Sequence, residues 1–406
     1  MVSTNIAAVS ARIRELVADE TPRATALRRA LHTHPEICFE EVQTSARIRD
    51  ELASAGISRV DGLAGGTGTL AFLPGASAHA IALRADIDGL PIVEENACDW
   101  KSQTEGRMHA CGHDGHTAIL VGAARVLARL AQDGMELPNA VRFLFQPAEE
   151  GGAGGKRMVE DGALDARREG PTVRRIYGLH NFPGVALGTL QTRRGALFAS
   201  SDRYEITVHG RAAHAAWPHH GRDPILAASA IVMSLQSVIA REIDPLEAGV
   251  ISTTTFHSGT ATNQISASAR LQGTARALTE ATRTHIESRI SEIARDVARA
   301  HRCEADTRYV RGYPVTRNDD ASVAEFERIA REMLTTQRLE HMDFPVMGGE
   351  DFAFYAERVP ACFYILGVED GQWNSAHLHQ PTFDFNDAAI PYGIEAMVAL
   401  ALADRA

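Results

Sequence analysis

Four short apolar runs, at residues 80–83, 141–145, 176–179 and 362–366, constrain what this chain can fold into more than anything else in it. Each has strand length, and helical stretches lie between several of them. In the clearest, at 117–130, Ile119, Val121, Ala124, Val126, Leu127 and Leu130 form a broad apolar face, and Gly134 follows where a helix stops. Strands alternating with helices specify an α/β fold with a mostly parallel, layered sheet. Helical spacing also runs through 21–55, interrupted at His34-Pro35, and further helices are expected at 321–335 and 388–403.

The texture changes near residue 200. A strand at 204–209, a helix at 224–240, strands at 249–257 and 267–277, a helix at 279–300 and a strand at 304–310 give the order β-α-β-β-α-β. That order specifies a ferredoxin-like α+β unit, which folds on its own and can be inserted into another domain. A chain of 406 residues is too long for one comfortable core. The expected organisation is a first domain from 1–195 and 312–406, with an inserted domain at 196–311.

Charge and cysteine usage exclude several partners. The chain carries 41 basic and 52 acidic residues, a net charge of −11, with no basic cluster to follow a phosphate backbone, so nucleic acid is not an expected partner. Residues 1–16 include Arg12, Arg14 and Glu15 and lack a continuous apolar core, so neither a signal peptide nor a membrane span is expected there, and the default location is cytoplasmic. Five widely spread cysteines argue for reduced thiols. Cys38, Cys98, Cys303 and Cys362 read as small packing residues. Cys111 alone has histidines crowded around it.

The chemistry-bearing residues fall past the carboxyl ends of the apolar runs. Asp86 and Asp88 follow the first run, Glu149 and Glu150 the second, His180 the third, and His379 lies beyond the fourth. In open α/β sheets that edge is where ligands bind. Cys111 and His113 join from a glycine-containing turn, expected just ahead of a helix starting near Thr117, and their spacing lets both reach one ion. Adjacent Glu149 and Glu150 repel, so keeping both ionised in one cleft requires a strong positive partner such as a divalent metal. Thiolate, imidazole and carboxylate together suit zinc, manganese, cobalt or nickel better than calcium or magnesium. Five ligands exceed the need of one tetrahedral site. Two ions about 3.5 to 4 Å apart could share them and acidify a bridging water. Glu149, beside ligand Glu150, is then the natural general base.

At these residues the chain resembles the amidohydrolases of the aminoacylase and carboxypeptidase superfamily, in particular the hippurate hydrolase and auxin-conjugate hydrolase group. The matching stretches run nearly end to end: Leu31-His32-Thr33-His34-Pro35-Glu36, Arg84-Ala85-Asp86-Ile87-Asp88-Gly89, Met108-His109-Ala110-Cys111-Gly112-His113-Asp114-Gly115-His116, Gln146-Pro147-Ala148-Glu149-Glu150-Gly151, Gly178-Leu179-His180, Gly348-Gly349-Glu350-Asp351-Phe352 and Leu378-His379-Gln380-Pro381. The resemblance implies a dinuclear centre with Cys111, His113, Glu150, His180 and His379 as ligands and Glu149 as base. It also implies that the inserted domain is a lid carrying the contacts of a homodimer. His214, in Gly210-Arg211-Ala212-Ala213-His214, would reach an active site, that of the partner subunit, and hydrogen-bond the oxyanion. Asn263 and Arg276 would hold the substrate's carboxylate or carbonyl, and Gly349, where the group has serine or alanine, bears on the shape of the substrate pocket.

Other residues have blander readings. Asp86, Asp88 and Asp114 are expected to orient ligand imidazoles from behind. His32 and His34 are expected to be structural, His109 and His116 neighbours of the centre, and His377 is set aside for His379 on the Leu-His-x-Pro frame. The implied reaction is hydrolysis of an N-acyl amino acid, a small molecule, away from any membrane. Its rivals are a dipeptidase or carboxypeptidase-like activity on short peptides and a metal-bearing binding protein without turnover.

Overall fold

A computed structural model describes residues 6–166, 168–334, 338–371 and 376–404. Thr335, the end of one expected helix, lies outside them. The chain divides into two compact units, one of Met1–Leu197, Arg317–Phe344 and Asp351–Ala406, the other of Phe198–Thr316 and Pro345–Glu350.

The first unit is built on an eight-stranded sheet in the spatial order Ser58–Leu63, Gly68–Leu73, Ala140–Gln146, Ala80–Asp86, Val173–Ala186, Ala361–Glu369, Thr189–Thr192, Arg338–His341. The four middle strands, from Ala140–Gln146 to Ala361–Glu369, run parallel. The hairpin at one edge is antiparallel, as is the join to Thr189–Thr192. Every residue of Ala80–Asp86 and Ala140–Gln146 is buried, Arg84 and Arg142 included, which is why these strands read as mostly apolar runs without alternation. Helices Ile6–His32, His113–Gln132 and Ile390–Ala403 pack on one another, the last two also on Ala80–Asp86.

One boundary differs from expectation in a way that matters. The helix expected near Thr117 starts at His113, one turn earlier. Its first residues, His113, Asp114, Gly115 and His116, are polar or side-chain-free and yet fully buried, so apolar periodicity could not register them. Gly112 ends the preceding turn at φ 90°, and a Cβ there would lie 2.2 Å from Asn181 Oδ1, so glycine is required on both counts.

The second unit has the β-α-β-β-α-β order: Ser201–His209, Pro224–Arg241, Gly249–Ser258, Ser268–Ala277, Glu280–Ala300 and Glu304–Tyr313. Its four strands form a fully antiparallel sheet in the order Gly249–Ser258, Ser268–Ala277, Ser201–His209, Glu304–Tyr313. Alternate residues Tyr204, Ile206 and Val208 meet Ile231, Leu235, Ile286 and Ile290 of the two helices in a core of its own. Asp223 caps the first of those helices, its Oδ1 accepting from the amides of Ile225 and Leu226 with Pro224 at the first turn. Among the described residues this is the one helix long and apolar enough to cross a membrane, and its Ala227, Ala228, Ile231, Leu235 and Val238 line the unit's core instead.

Candidate metal centre

The carboxyl edge of the parallel strands gathers the candidate ligands. Asp86 ends its strand, Asp88 follows two residues later, and Glu149 and Glu150 open a tight turn separated from Ala140–Gln146 by Pro147 and Ala148, with Glu150 outside helical φ/ψ. His180 lies within its strand, which continues to Ala186. His379 follows Ala361–Glu369, held by its own N–H donating 2.8 Å to Ala110 O, with φ at 64°, a left-handed conformation uncommon for a residue with a Cβ.

Hydrogen bonds fix the tautomers of His113, His180 and His116, and with them the direction of each lone pair. His113 Nδ1 donates to Asp88, 3.0 Å to its main-chain oxygen and 3.1 Å to Oδ1, so in the neutral ring Nε2 carries the lone pair. That Nε2 is buried and has no hydrogen-bond partner among the described residues. His180 Nδ1 donates to Asn181 O at 2.6 Å, which leaves Nε2, 3.4 Å from Cys111 Sγ, as its basic nitrogen. His116 differs: Nε2 accepts from the Asn181 amide at 2.9 Å and Nδ1 donates to Asp86 Oδ1 at 2.6 Å, so both nitrogens are used and it cannot bind a cation as placed.

Cys111, Glu150 and His379 gather beside the two unspent nitrogens in overlapping groups. Ligand atoms of Cys111, His113 and His180 lie within 4.8 Å of one another, and so do those of Cys111, Glu150 and His379. Cys111 belongs to both groups. Glu149 joins His113 and Glu150 in a third group of the same span, is 7% exposed, and accepts at Oε1 from the Asp351 amide at 3.2 Å. His379 Nε2 stands 3.1 Å from Glu150 Oε1. His377 is exposed and belongs to no such group among the described residues.

Burial and the crowding of anionic groups set the titration directions at the site. Burial pushes the Cys111 thiol well above its usual range, and Glu150 pushes it further. Burial alone would lower His113, but Asp86 and Cys111 overcome it and carry the imidazole well above its ordinary value. Burial, helped by His116, holds His180 well below it, in the neutral form a metal needs. The Glu150 carboxyl resists its burial through His379 and His113 and stays below the usual carboxylate value. A buried thiol, two imidazoles with aimed lone pairs and paired carboxylates fit a borderline divalent cation.

Behind the ligands stands a buried lattice. Asp88 links two of them, its Oδ1 on His113 and its Oδ2 accepting from the Glu150 amide at 2.9 Å. Asp86 holds His116, which is not among the expected ligands, at 2.6 Å and comes no nearer than 3.7 Å to His113 Nε2, so it departs from the expected support of a ligand imidazole. Asp114 departs from expectation: it meets Arg28 and His32, each at 2.8 Å, and orients no ligand imidazole. His32 bridges Asp114 and Glu94; burial and Arg28 oppose its charge, the two carboxylates prevail, and its pKa is raised to about 9. Burial lowers His109 to about 4. Arg84, fully buried, donates 2.9 Å to Gln146, 2.8 Å to Asp86 and 2.8 Å to Asp351, a tie the motif reading missed. Its signal was an arginine set directly after the apolar run 80–83, between Leu83 and Ala85. Cys38, expected to pack, is exposed.

In the second unit His214 is exposed and pairs with Gln264 in a two-stranded ladder. Its Nδ1 accepts from the Ala216 amide at 3.1 Å, and the Asn263 carbonyl accepts from Ala215 at 2.9 Å, so one ladder fixes both residues. Arg276 is half-buried opposite Val250, bonded 3.1 Å to the Ala275 carbonyl, with its pKa lowered by burial. At Gly349 a Cβ would lie 2.8 Å from Ser201 Cβ, so close packing alone excludes a side chain there.

A mainly parallel sheet with such a cluster at its carboxyl edge defines a metallohydrolase. Residues 82–403 match Peptidase family M20/M25/M40, and the chain belongs to that family. It is 37% identical over 380 residues to IAA-amino acid hydrolase ILR1-like 5 of Arabidopsis thaliana, covering 92% of this chain and 85% of that one. It is 37% identical over 367 residues to an N-acetyl-L-cysteine deacetylase of Bacillus subtilis, covering 90% and 84%. Its fold is similar to the crystal structure of a dinuclear metal binding peptidase of the M20 family from Bacillus subtilis, with TM-score 0.81 and 33% identity over 95% of this chain and 98% of that one.

Proposed function

We propose that this protein hydrolyses the amide bond of N-acyl amino acids to a carboxylic acid and a free amino acid, using two divalent ions held by Cys111, His113, Glu150, His180 and His379. The observation that carries the reading is the sharing of Cys111 by two ligand groups, with the buried Glu149 beside them. The two relatives are named for hydrolysing an IAA-amino acid and deacetylating N-acetyl-L-cysteine, both acylated amino acids. Zinc, manganese, cobalt and nickel all suit this donor set. Bound there, the ions supply Lewis-acid polarisation of the scissile carbonyl and acidify water.

The chain's own residues supply the rest. Glu149, its rotation set by the Asp351 amide, takes the proton of the attacking water and returns it to the leaving nitrogen. In His214 the accepting Nδ1 leaves Nε2–H as donor, suited to the oxyanion that forms on attack. Asn263 and the Arg276 guanidinium hold the substrate's carboxylate or carbonyl, while Gly349 keeps its part of the pocket free of a side chain. We assign the second unit a lid role and the contacts of a homodimer, in which His214 serves the partner's site. The exposed Ile225, Leu226 and Met233 on one helix and Phe256 on the edge strand Gly249–Ser258 support a second copy there. Free thiols throughout the described chain support a reducing compartment, the cytoplasm.

The test is a panel of acetyl, benzoyl, indoleacetyl and long-chain acyl amino acids alongside free dipeptides, with each of the four metals added in turn. Turnover of acylated amino acids is expected. Turnover confined to free dipeptides would replace the reading with a dipeptidase, and inertness of fully metallated protein toward all of them would leave a binding protein. His214→Ala is expected to keep its metal and lose about 10²- to 10³-fold in kcat, the usual cost of one oxyanion donor. Wild-type kcat in that variant would remove the role.

A further inference from the structure

The turn that carries Glu149 and Glu150 is bent against the preferences of its own residues. Ala148 sits at φ 53°, ψ 44° and Ala153 at φ 55°, ψ 46°, a left-handed conformation that any Cβ disfavours, and the two flank the glutamates. The space is as tight as the backbone is strained: a Cβ on Gly154 would lie 1.7 Å from Pro147 O, and one on Gly152 would lie 2.6 Å from Ala148 Cβ. Such a backbone persists only where its surroundings over-determine it.

Three buried carboxylates do so, each accepting one main-chain N–H of the turn. Asp88 Oδ2 takes that of Glu150 at 2.9 Å, Asp351 Oδ2 that of Gly155 at 2.8 Å, and Glu41 Oε1 that of Ala148 at 2.9 Å. Asp88 also bonds His113, and the Asp351 amide bonds Glu149. Glu41 is different. It is 0% exposed, its Oε1 also accepts from the Phe39 amide at 3.0 Å, and its Oε2 accepts from the Thr67 hydroxyl at 3.0 Å. Phe39 is itself left-handed, at φ 66°, so one carboxylate ties two strained segments together.

We infer that Glu41 is a positioning residue for the reaction: by accepting the Ala148 N–H it holds that peptide left-handed and so aims Glu149. The inference rests on the hydrolase reading above. Without the acceptor the Ala148 N–H is buried and unpaired, and the residue relaxes toward the right-handed region, swinging the glutamate pair that follows.

Glu41→Ala is expected to lower kcat about 10²-fold, the scale of a 1 Å misplacement, with KM and metal stoichiometry nearly unchanged. Glu41→Gln keeps an oxygen toward both amides and turns its NH₂ to the Thr67 hydroxyl, so it stays within a few-fold of wild type. Adding Ala148→Gly to Glu41→Ala removes the steric objection to the left-handed peptide and recovers about tenfold in kcat. Hydrogen exchange supplies a readout independent of turnover: the Ala148 amide exchanges slowly in wild type and in Glu41→Gln, and faster in Glu41→Ala. Should Glu41→Ala not fold, Glu41→Asp, one methylene short of Ala148, carries the same expectations. Wild-type kcat in Glu41→Ala, or a loss shared by Glu41→Gln and untouched by Ala148→Gly, would overturn the inference. Failure of wild type on every acyl amino acid would instead sink the functional reading, and the exchange data would still decide about Glu41.

Discussion

Glu149→Gln keeps its metal and loses turnover by about 10²- to 10⁴-fold, the contribution of one well-placed general base. The substitution is as close to isosteric as a side chain permits. An amide oxygen can still accept from the Asp351 amide, which now holds Glu149 Oε1 at 3.2 Å, so the turn and its neighbour Glu150 stay where they are. What disappears is the ability to take a proton. Because Glu150, His113 and Cys111 supply the nearby donor atoms, cation occupancy survives the change. The two readouts separate the roles: elemental analysis reports the ligands, and kcat reports the base. Turnover equal to wild type at full occupancy would remove Glu149 as base, while loss of metal would move it among the ligands.

The contrast between Glu149 and its supports shows which parts of the site a sequence exposes. The carboxyl ends of the parallel strands were legible because a strand buried on both faces leaves an apolar run whose end is visible, and Asp86, Glu149 and Glu150 stand at such ends. His180 was legible for the same reason, although its strand runs on to Ala186 through polar residues and Pro183. Of the edge hairpin, Ser58–Leu63 is largely exposed and leaves no such run, whereas the largely buried Gly68–Leu73 does leave one, Leu70-Ala71-Phe72-Leu73, which has no counterpart among the expected strands. The early start of the helix at His113 was hidden too, because buried polar residues imitate a loop to any apolar periodicity. Harder still were partners fixed by tertiary geometry. Nothing local to Asp114 says that it faces Arg28 and His32 and no ligand imidazole, and nothing local to Glu41 says that it caps Ala148. The left-handed Ala148 is invisible for a related reason: its cost is offset by an acceptor, Glu41, more than a hundred residues away in sequence.

Cys111→Ser is expected to cost more in metal affinity than any other single change. Loss of a mere support behind a ligand already costs about 10- to 100-fold, and Cys111 is the atom shared by both ligand groups, so the loss should exceed that range. Serine is smaller by one row of the periodic table and its hydroxyl does not ionise near neutrality, so neither group regains an anionic donor. The pH dependence has a definite sign. Burial, reinforced by Glu150, holds the Cys111 thiol protonated well above its usual range in the metal-free site, so a cation must displace that proton to bind the sulfur. Below the raised pKa, wild-type affinity therefore climbs as pH rises, with a proton released on binding. Serine has no such proton to release, and the slope falls by about one proton per site. Chelator competition from mildly acid to mildly alkaline buffer measures the slope, and calorimetry in buffers of different ionisation enthalpy counts the proton directly. A serine variant that stays fully loaded, or one that keeps the wild-type pH slope, would mean that the sulfur at the crossing of the two ligand groups binds no metal.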